Sequence, residues 1–279
     1  MLWVLLPAYN EEDTLPRLLP KIRHFAASRS VDCKTVVVND GSTDNTAGVL
    51  ANFARTYPIE VVTHRINRGL GETERDGFEY IAERCQPSDV IVRLDADDTH
   101  EPEYIATMLA RIADGYDVVN TSRFRSGGGQ RGVSSYRAFT SYCANLFMAC
   151  VFHIPGLRDY TCGFRAYRGK AIQDCVRLFG NDFIQLKGMG FTSTLEMLVK
   201  LKMVGCRFAE VPFTLHYDRK TSASKMLTSI TVLGYFSMAI LYHWPFSGWR
   251  RKYRGLAQRI RAEGPCQDRQ AAGAQFCKD

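Results

Sequence analysis

The apolar stretch Val90-Ile91-Val92-Arg93-Leu94 runs directly into Asp95-Ala96-Asp97-Asp98. Two carboxylates separated by one residue at a strand end offer hard oxygen ligands for Mg2+ or Mn2+. They leave coordination positions open for phosphate oxygens and water. A cation held by Asp95 and Asp97 would neutralise charge developing on a diphosphate leaving group. The same aspartates would serve equally as caps for a helix beginning near Glu101. A second apolar run ends in a similar way, in Val36-Val37-Val38-Asn39-Asp40-Gly41-Ser42-Thr43-Asp44. Gly41 permits a turn, Ser42 or Thr43 can cap the next helix, and the Asp40 carboxylate can accept a hydrogen bond from a nucleobase N–H. An ordinary capped turn accounts for the same residues. At the first strand end, Pro7-Ala8-Tyr9-Asn10-Glu11-Glu12 combines an aromatic ring with carboxylates that could hold a base or ribose. At the third, the glycines of Asn67-Arg68-Gly69-Leu70-Gly71 allow close backbone approach. That segment does not fit the GxGxxG dinucleotide fingerprint, which disfavours a dehydrogenase.

The elements that must position these motifs are legible from apolar periodicity. Val4–Leu6, Thr35–Val38, Glu60–Thr63, Val90–Leu94 and Asp117–Asn120 have the pattern of strands buried on both faces. Between them, Thr14–Ala27, Thr43–Tyr57, Gly71–Cys85 and Glu101–Asp114 carry apolar residues at helical spacing. The alternation predicts an α/β domain with a mostly parallel sheet flanked by helices, and ligands beyond the carboxyl ends of the strands. The second half is less regular. Arg125–Gly132 is expected as a mobile loop, Tyr136–Phe152 and Thr192–Val204 as helices, and Phe208–Leu215 as a strand. With no internal repeat and no Pro- or Ser-rich linker, residues 1–225 are expected to form a single domain ahead of a C-terminal appendage.

Composition bounds the class. A chain of 279 residues with 46% hydrophobic and 23% charged residues is neither disordered, nor collagen-like, nor a polytopic membrane protein. The net charge of +7 is uneven: from Arg250 onward eight basic residues face three acidic ones, a surplus of +5, which leaves +2 for the first 249 residues. A nearly neutral body argues against a nucleic-acid-coating protein. The nine cysteines form no CxxC pair and no cluster with histidine. That pattern points away from zinc and towards free thiols in a reducing compartment. The apolar run Met1–Leu6 stops at six residues without a basic flank, too short for a signal peptide, and reads as a first buried strand.

Taken in order, the motifs resemble the family-2 inverting glycosyltransferases of GT-A fold, in particular the dolichol-phosphate mannosyltransferase branch. The resemblance covers about residues 2–226. It rests on Pro7-Ala8-Tyr9-Asn10-Glu11, on Val38-Asn39-Asp40-Gly41-Ser42, and on Asp95-Ala96-Asp97 continued by His100 and Pro102-Glu103. It continues through Thr121-Ser122-Arg123-Phe124 with the glycine loop, Asp159 to Arg165, Glu210-Val211-Pro212, and Arg219 to Lys225. What it implies is transfer of a sugar from a nucleotide-diphosphate sugar, such as GDP-mannose or a UDP-hexose, to a polyprenyl phosphate with Mg2+ or Mn2+. Pro7, Tyr9, Glu11, Val38 and Asp40 would contact the nucleoside. Asp95 and Asp97, with the Ala96 backbone, would hold metal and diphosphate, and Arg219 and Lys225 would clamp the diphosphate. Arg123 and Arg137 would receive the acceptor phosphate.

Departures from the family pattern fall at Asn39, where Asp is usual, at Thr99, where Gln is common as a further ligand, and at Thr73, where a small residue is common. With Thr99 a poorer ligand, Asp98, water or the donor would complete the metal shell. A phosphate acceptor is already largely anionic near neutral pH and needs no strong general base. A sugar hydroxyl would need one, and Asp159 is then the best-placed candidate. Alternative readings are a family-2 transferase to a saccharide or other hydroxyl acceptor, or a silent nucleotide-sugar-binding membrane module. Residues 226–249 contain no Asp, Glu, Lys or Arg, and basic clusters flank them on both sides. A single span would place one cluster outside, so an interfacial or re-entrant helix is expected, with attachment to the cytoplasmic face of a membrane. Residues 250–279 form a basic tail, expected to be disordered after Gly264.

Overall fold

The computed structural model describes residues 1–219, 228–242 and 253–259. In the first half strands and helices alternate in the order β1 (Leu2–Ala8), α1 (Leu15–Ser28), β2 (Cys33–Asn39), α2 (Thr46–Phe53), β3 (Ile59–Thr63), α3 (Leu70–Ala82), β4 (Val90–Arg93), α4 (Tyr104–Ala113) and β5 (Val118–Ser122). β1 pairs in parallel with β2 on one side and β4 on the other, and β2 pairs in parallel with β3. Every residue of β1 except Pro7 is buried, which is why its apolar run shows no alternation. Leu2, Val4 and Leu6 face the layer of α1 and α4, while Trp3 and Leu5 face α3 and the helices of the second half. Fully burying one such side chain contributes about 1.5–3 kcal/mol. Two apolar layers therefore hold rigid the sheet whose strand ends carry the polar motifs.

The second half adds β6 (Gly129–Arg131), α5 (Ser135–Phe152), β7 (Arg165–Arg168), α6 (Gly169–Phe179), α7 (Thr192–Val204), β8 (Phe208–Pro212), β9 (Thr214–His216) and α8 (Thr228–Tyr242). The main sheet has the order β3-β2-β1-β4-β7-β5-β8. It is parallel except for β7, which is wedged antiparallel between β4 and β5. The periodicity reading contains neither β7 nor α6. β7 is Arg-Ala-Tyr-Arg with all four residues buried, so a strand that belongs to the core presents no apolar run.

Two other expectations are corrected. The strand expected at Phe208–Leu215 is two strands: the chain leaves the main sheet after Pro212, with Phe213 N–H making the last bond to Ser122 of β5. β9 then pairs in parallel with β6, so the segment expected as a mobile loop at Arg125–Gly132 contains a short strand. The α5 helix starts as read, with the Ser134 hydroxyl accepting the Arg137 N–H at 3.4 Å.

α8 is half in the core and half on the surface. Tyr235, Met238 and Tyr242 are buried, Phe236 packs against Phe147 of α5 at 5.4 Å between ring centroids, and Leu233 and Ile240 are exposed. Among the described residues no helix is long and apolar enough to cross a membrane. Residues 226–227 and 243–249 of the expected interfacial segment, and most of the 250–279 tail, lie outside the described residues. The seven described cysteines are free thiols.

Candidate active site

A cleft of about 740 Å3 lies at the carboxyl ends of β1, β2, β4 and β5. Its lining brings together Pro7, Tyr9, Glu11, Asp40, Asp95, Ala96, Asp97, Arg123 and Arg137 of the residues expected from sequence. Val38 is not among the lining residues: it is fully buried in β2, one residue beneath the turn. Arg219 closes a short 3-10 turn after β9, and Lys225 lies outside the described residues.

At the end of β2, the Asp40 carboxylate organises a loop. One oxygen accepts the Arg68 N–H at 2.8 Å and faces His64 Nδ1 at 2.7 Å, and the other accepts the Gly69 N–H at 2.8 Å. Asp40 thereby holds the Arg68–Gly69 segment against the strand ends. Asn39 explains its own departure from Asp: its side-chain oxygen accepts the Ser42 N–H at 3.2 Å, a task a neutral amide performs as well as a carboxylate. Gly41 is required by crowding as well as by its φ of 64°, since a Cβ there would lie 2.3 Å from the Ile66 carbonyl carbon.

At the end of β4, Asp95 and Asp97 both reach the cleft, with side-chain exposure of 30% for Asp95. Thr99 turns out to position Asp97: its hydroxyl donates to Asp97 Oδ1 at 2.6 Å. Asp98 is drawn the other way, with a φ of 59° and its carboxylate 2.8 Å from Lys21 Nζ. Asp98 is thus removed from the set that would complete a metal shell. Among the described residues no three His, Cys, Asp or Glu side chains gather to hold a metal. The donors present are two carboxylates, a hard set that suits Mg2+ or Mn2+ when phosphate oxygens and water supply the rest.

Sequence reading did not assign the groups behind Asp95. Arg93 is fully buried, with Nη1 at 2.6 Å from Asp95 Oδ1 and Nε at 2.8 Å from Glu74 Oε1. Burial holds the Glu74 carboxyl above its ordinary range, against the pull of Arg93, and Ser193 donates to it at 2.6 Å. His100 accepts the Asp95 N–H on Nδ1 at 3.2 Å and stacks on Phe164. Burial lowers its pKa, so the ring is neutral with its proton on Nε2. The signal available in the sequence was Arg93 itself, one charge inside an otherwise apolar strand.

At the opposite wall Arg123 projects from the end of β5. Its Nε and Nη2 donate to the two oxygens of Asp159 at 2.7 and 2.8 Å, and Nη2 also donates to Thr161 at 2.6 Å. Asp159 has no exposed surface. Burial would push its carboxyl up, but the Arg123 charge and hydrogen bonds outweigh that and hold it below the usual range. A buried, ion-paired carboxylate of depressed pKa makes a poor general base, which removes Asp159 from that role. Glu210 of β8 accepts the N–H groups of Arg158 and Asp159 at 2.6 and 2.7 Å, fixing the turn that presents Asp159. Asn145 of α5 accepts the Tyr160 N–H at 2.6 Å and so ties the same segment to the helix that carries Arg137. Arg137 donates to the Tyr217 hydroxyl at 2.6 Å and lies over that ring.

Two further cations line the cleft. Lys187 and Arg68 share Glu72, at 2.8 and 3.2 Å, which draws the loop after α6 onto the start of α3. α8 supplies a wall through Ile230, Thr231, Val232 and Tyr235. The site therefore has carboxylates on one side, guanidinium and ammonium groups around them, and an apolar edge between α5 and α8.

Comparison with known proteins bears on family and fold. The family model described as glycosyl transferase family 2 matches residues 3–176. A polyprenol monophosphomannose synthase of Mycolicibacterium smegmatis is 28% identical over 257 residues, covering 91% of each chain. An undecaprenyl-phosphate mannosyltransferase of Micrococcus luteus is 33% identical over 223 residues, 80% of this chain and 86% of the relative. Among solved structures, glucosyl-3-phosphoglycerate synthase from Mycobacterium tuberculosis shares the fold with a TM-score of 0.57 at 16% identity, over 86% of this chain and 78% of that one.

Proposed function

The chain belongs to glycosyl transferase family 2, and from that premise we propose that it moves a sugar from a nucleotide-diphosphate sugar, such as GDP-mannose or a UDP-hexose, to a polyprenyl phosphate. One observation carries the choice of acceptor: the carboxylate best placed to deprotonate a hydroxyl, Asp159, is buried and spent on Arg123. A site without that base suits a nucleophile that arrives already anionic. A phosphomonoester, with a second pKa of about 6, is such a nucleophile. The two mannosyltransferase relatives, whose names specify polyprenol and undecaprenyl phosphate, support the same reading.

The roles proposed are those that the family resemblance implies, and most of the residues concerned line the cleft. Pro7, Tyr9, Glu11 and Asp40, with the backbone beside Val38, surround the nucleoside. Asp95 and Asp97, with Ala96 between them, would hold Mg2+ or Mn2+, which when bound supplies positive charge beside the diphosphate. Arg219 and Lys225 are assigned to the diphosphate. Arg123 and Arg137 receive the acceptor phosphate. Arg123 does so with Nη1, since its other guanidinium nitrogens are bound to Asp159 and Thr161. A phosphate oxygen attacks the anomeric carbon as the bond to the diphosphate oxygen breaks. One in-line displacement inverts the centre and gives a β-linked product from an α-linked donor. Positioning and charge stabilisation then account for the catalysis.

A lipid acceptor also gives the surface around the cleft a purpose. Tyr136, Phe139, Tyr142 and Leu146 of α5 and Leu233, Phe236 and Ile240 of α8 are exposed on the two helices that form the apolar edge. The assignment is peripheral attachment to the cytoplasmic face of a membrane, with the acceptor phosphate entering from that edge. The test is transfer of radiolabel from GDP- and UDP-sugars into organic solvent in the presence of polyprenyl phosphate. Label appearing only on a soluble saccharide would select the hydroxyl-acceptor reading. Donor binding without turnover on any acceptor would select the silent module.

A further inference from the structure

Asp95 is held from behind before any ligand reaches it. Arg93 of β4 stands directly across from Arg165 of β7 in the antiparallel register, so two guanidinium side chains share one face of the sheet. Glu74 and Asp95 are the carboxylates that balance them. Arg93 cannot withdraw: a Cβ on Gly163 would lie 2.2 Å from its Nη1, so the guanidinium fills the space beneath that glycine. Nor does it lose its charge. A guanidinium stays protonated in proteins, and two carboxylates, Asp95 and Glu74, lie against this one. Its contacts are close in distance, yet its three nitrogens make no well-angled hydrogen bond. They are charge contacts, made by a guanidinium that the core holds in place.

A divalent cation arriving alone at Asp95 and Asp97 therefore meets a carboxylate already neutralised and a fixed positive charge behind it. A cation arriving with a diphosphate brings its own negative charge, which removes that opposition. Resting on the metal-dependent reading above, we propose that Arg93 is a positioning residue that reserves Asp95 for a metal–diphosphate complex. The free protein holds the metal weakly, and metal and diphosphate enter together. By linkage, each then raises the affinity for the other by the same factor.

The experiment measures Mn2+ binding to the full chain by the loss of the free-ion electron paramagnetic resonance signal, with and without GDP or UDP. The parent should bind Mn2+ at least about tenfold tighter with diphosphate than without, a coupling of ordinary size. Arg93→Met should tighten binding of Mn2+ alone by about tenfold or more, from removing one nearby charge, and shrink the coupling. Arg93→Lys, which keeps the charge, should resemble the parent. Glu74→Gln should act in the opposite direction and weaken Mn2+ binding, because Arg93 is then left to Asp95. Folded Arg93→Met that binds Mn2+ no tighter than the parent would overturn the inference. If that variant does not fold, Glu74→Gln with unchanged or tighter binding would overturn it instead. A parent that binds no Mn2+ even with diphosphate would overturn the metal reading itself, a result distinct from failure of the Arg93 role alone.

Discussion

Replacing Arg123 by Met should reverse the pH dependence of stability. Asp159 has no exposed surface, and Arg123 supplies two side-chain hydrogen bonds to it at 2.7 and 2.8 Å. Removing one partner of a buried ion pair costs about 3–5 kcal/mol, because the other charge is left without water or partner. The backbone N–H groups of residues 123 and 162 and the Thr161 hydroxyl still reach the carboxylate, at 3.0–3.2 Å, which places the loss at the lower end, about 3 kcal/mol. In the parent, burial raises the Asp159 carboxyl but Arg123 more than offsets it, so its folded-state pKa is depressed. Its contribution is present above the ordinary carboxylate range and is lost as pH falls through the depressed value. In the variant, burial faces much less opposition and the folded-state pKa rises above the unfolded one. The variant is then favoured at low pH and loses stability as pH rises through the raised value. Urea titrations followed by circular dichroism read the variant's slope between pH 5 and pH 8 and the parent's between pH 3 and pH 5. Adding Asp159→Asn to Arg123→Met should recover about 1–3 kcal/mol at pH 8, the usual cost of an unsatisfied buried polar group. An equal loss at pH 5 and pH 8, with no recovery in the double variant, would refute the reasoning.

Asp95→Ala and Asp97→Ala should each lower transfer by about 10²–10³-fold while the proteins stay folded; near-parental turnover at saturating donor would remove both from the metal site. Arg137→Ala should raise the KM for polyprenyl phosphate and leave donor affinity, measured by calorimetry, unchanged; a collapse of donor affinity would reassign it to the diphosphate. Gly163→Ala, whose new methyl would lie 2.2 Å from Arg93 Nη1, should cost about 1–3 kcal/mol of stability by overpacking, and a denaturation midpoint equal to the parent's would refute it. Phe139→Ser with Phe236→Ser should reduce flotation with liposomes even at high salt, where only apolar burial persists; unchanged flotation would show that the membrane contact lies elsewhere.

Much of the cleft was legible because of where its motifs stand. β1, β2 and β4 are buried strands, so each apolar run ends where the sheet ends, and the polar residues that follow must face the crevice. Asp40, Asp95 and Asp97 were found in that way. The other wall was less legible. β7 enters the centre of the sheet with arginines at both ends, and periodicity has no means of recognising a buried strand that carries charge. Asp159 was visible as a carboxylate near the site, but its pairing with Arg123 joins residues 36 apart in sequence and depends on that unseen strand. Even the local departures became clear only in three dimensions. Asn39 and Thr99 serve as supports for a turn and for Asp97, tasks their residue types do not announce.

The buried charges share a location. Moving a carboxylate and a cation out of water costs several kcal/mol per ion, and a well-packed apolar pair would serve stability as well or better. Two full apolar layers already hold the sheet, so these pairs are not needed to close the core. Arg93 with Asp95, and Arg123 with Asp159, each stand behind one wall of the cleft. A third pair, Lys200 with Glu196, lies deeper, and Glu196 accepts the N–H groups of Gln185 and Leu186 at 2.9 Å. Those bonds hold the segment that leads into Lys187 and Gly188, both of which line the same cleft. Tyr242 of α8 donates to Glu196 as well, so the helix that walls the cleft and the loop beside it rest on one carboxylate. For Asp159 and Glu196 the directional demand of the buried carboxylate is met by groups from different elements. The elements so joined are ones that wall the cleft.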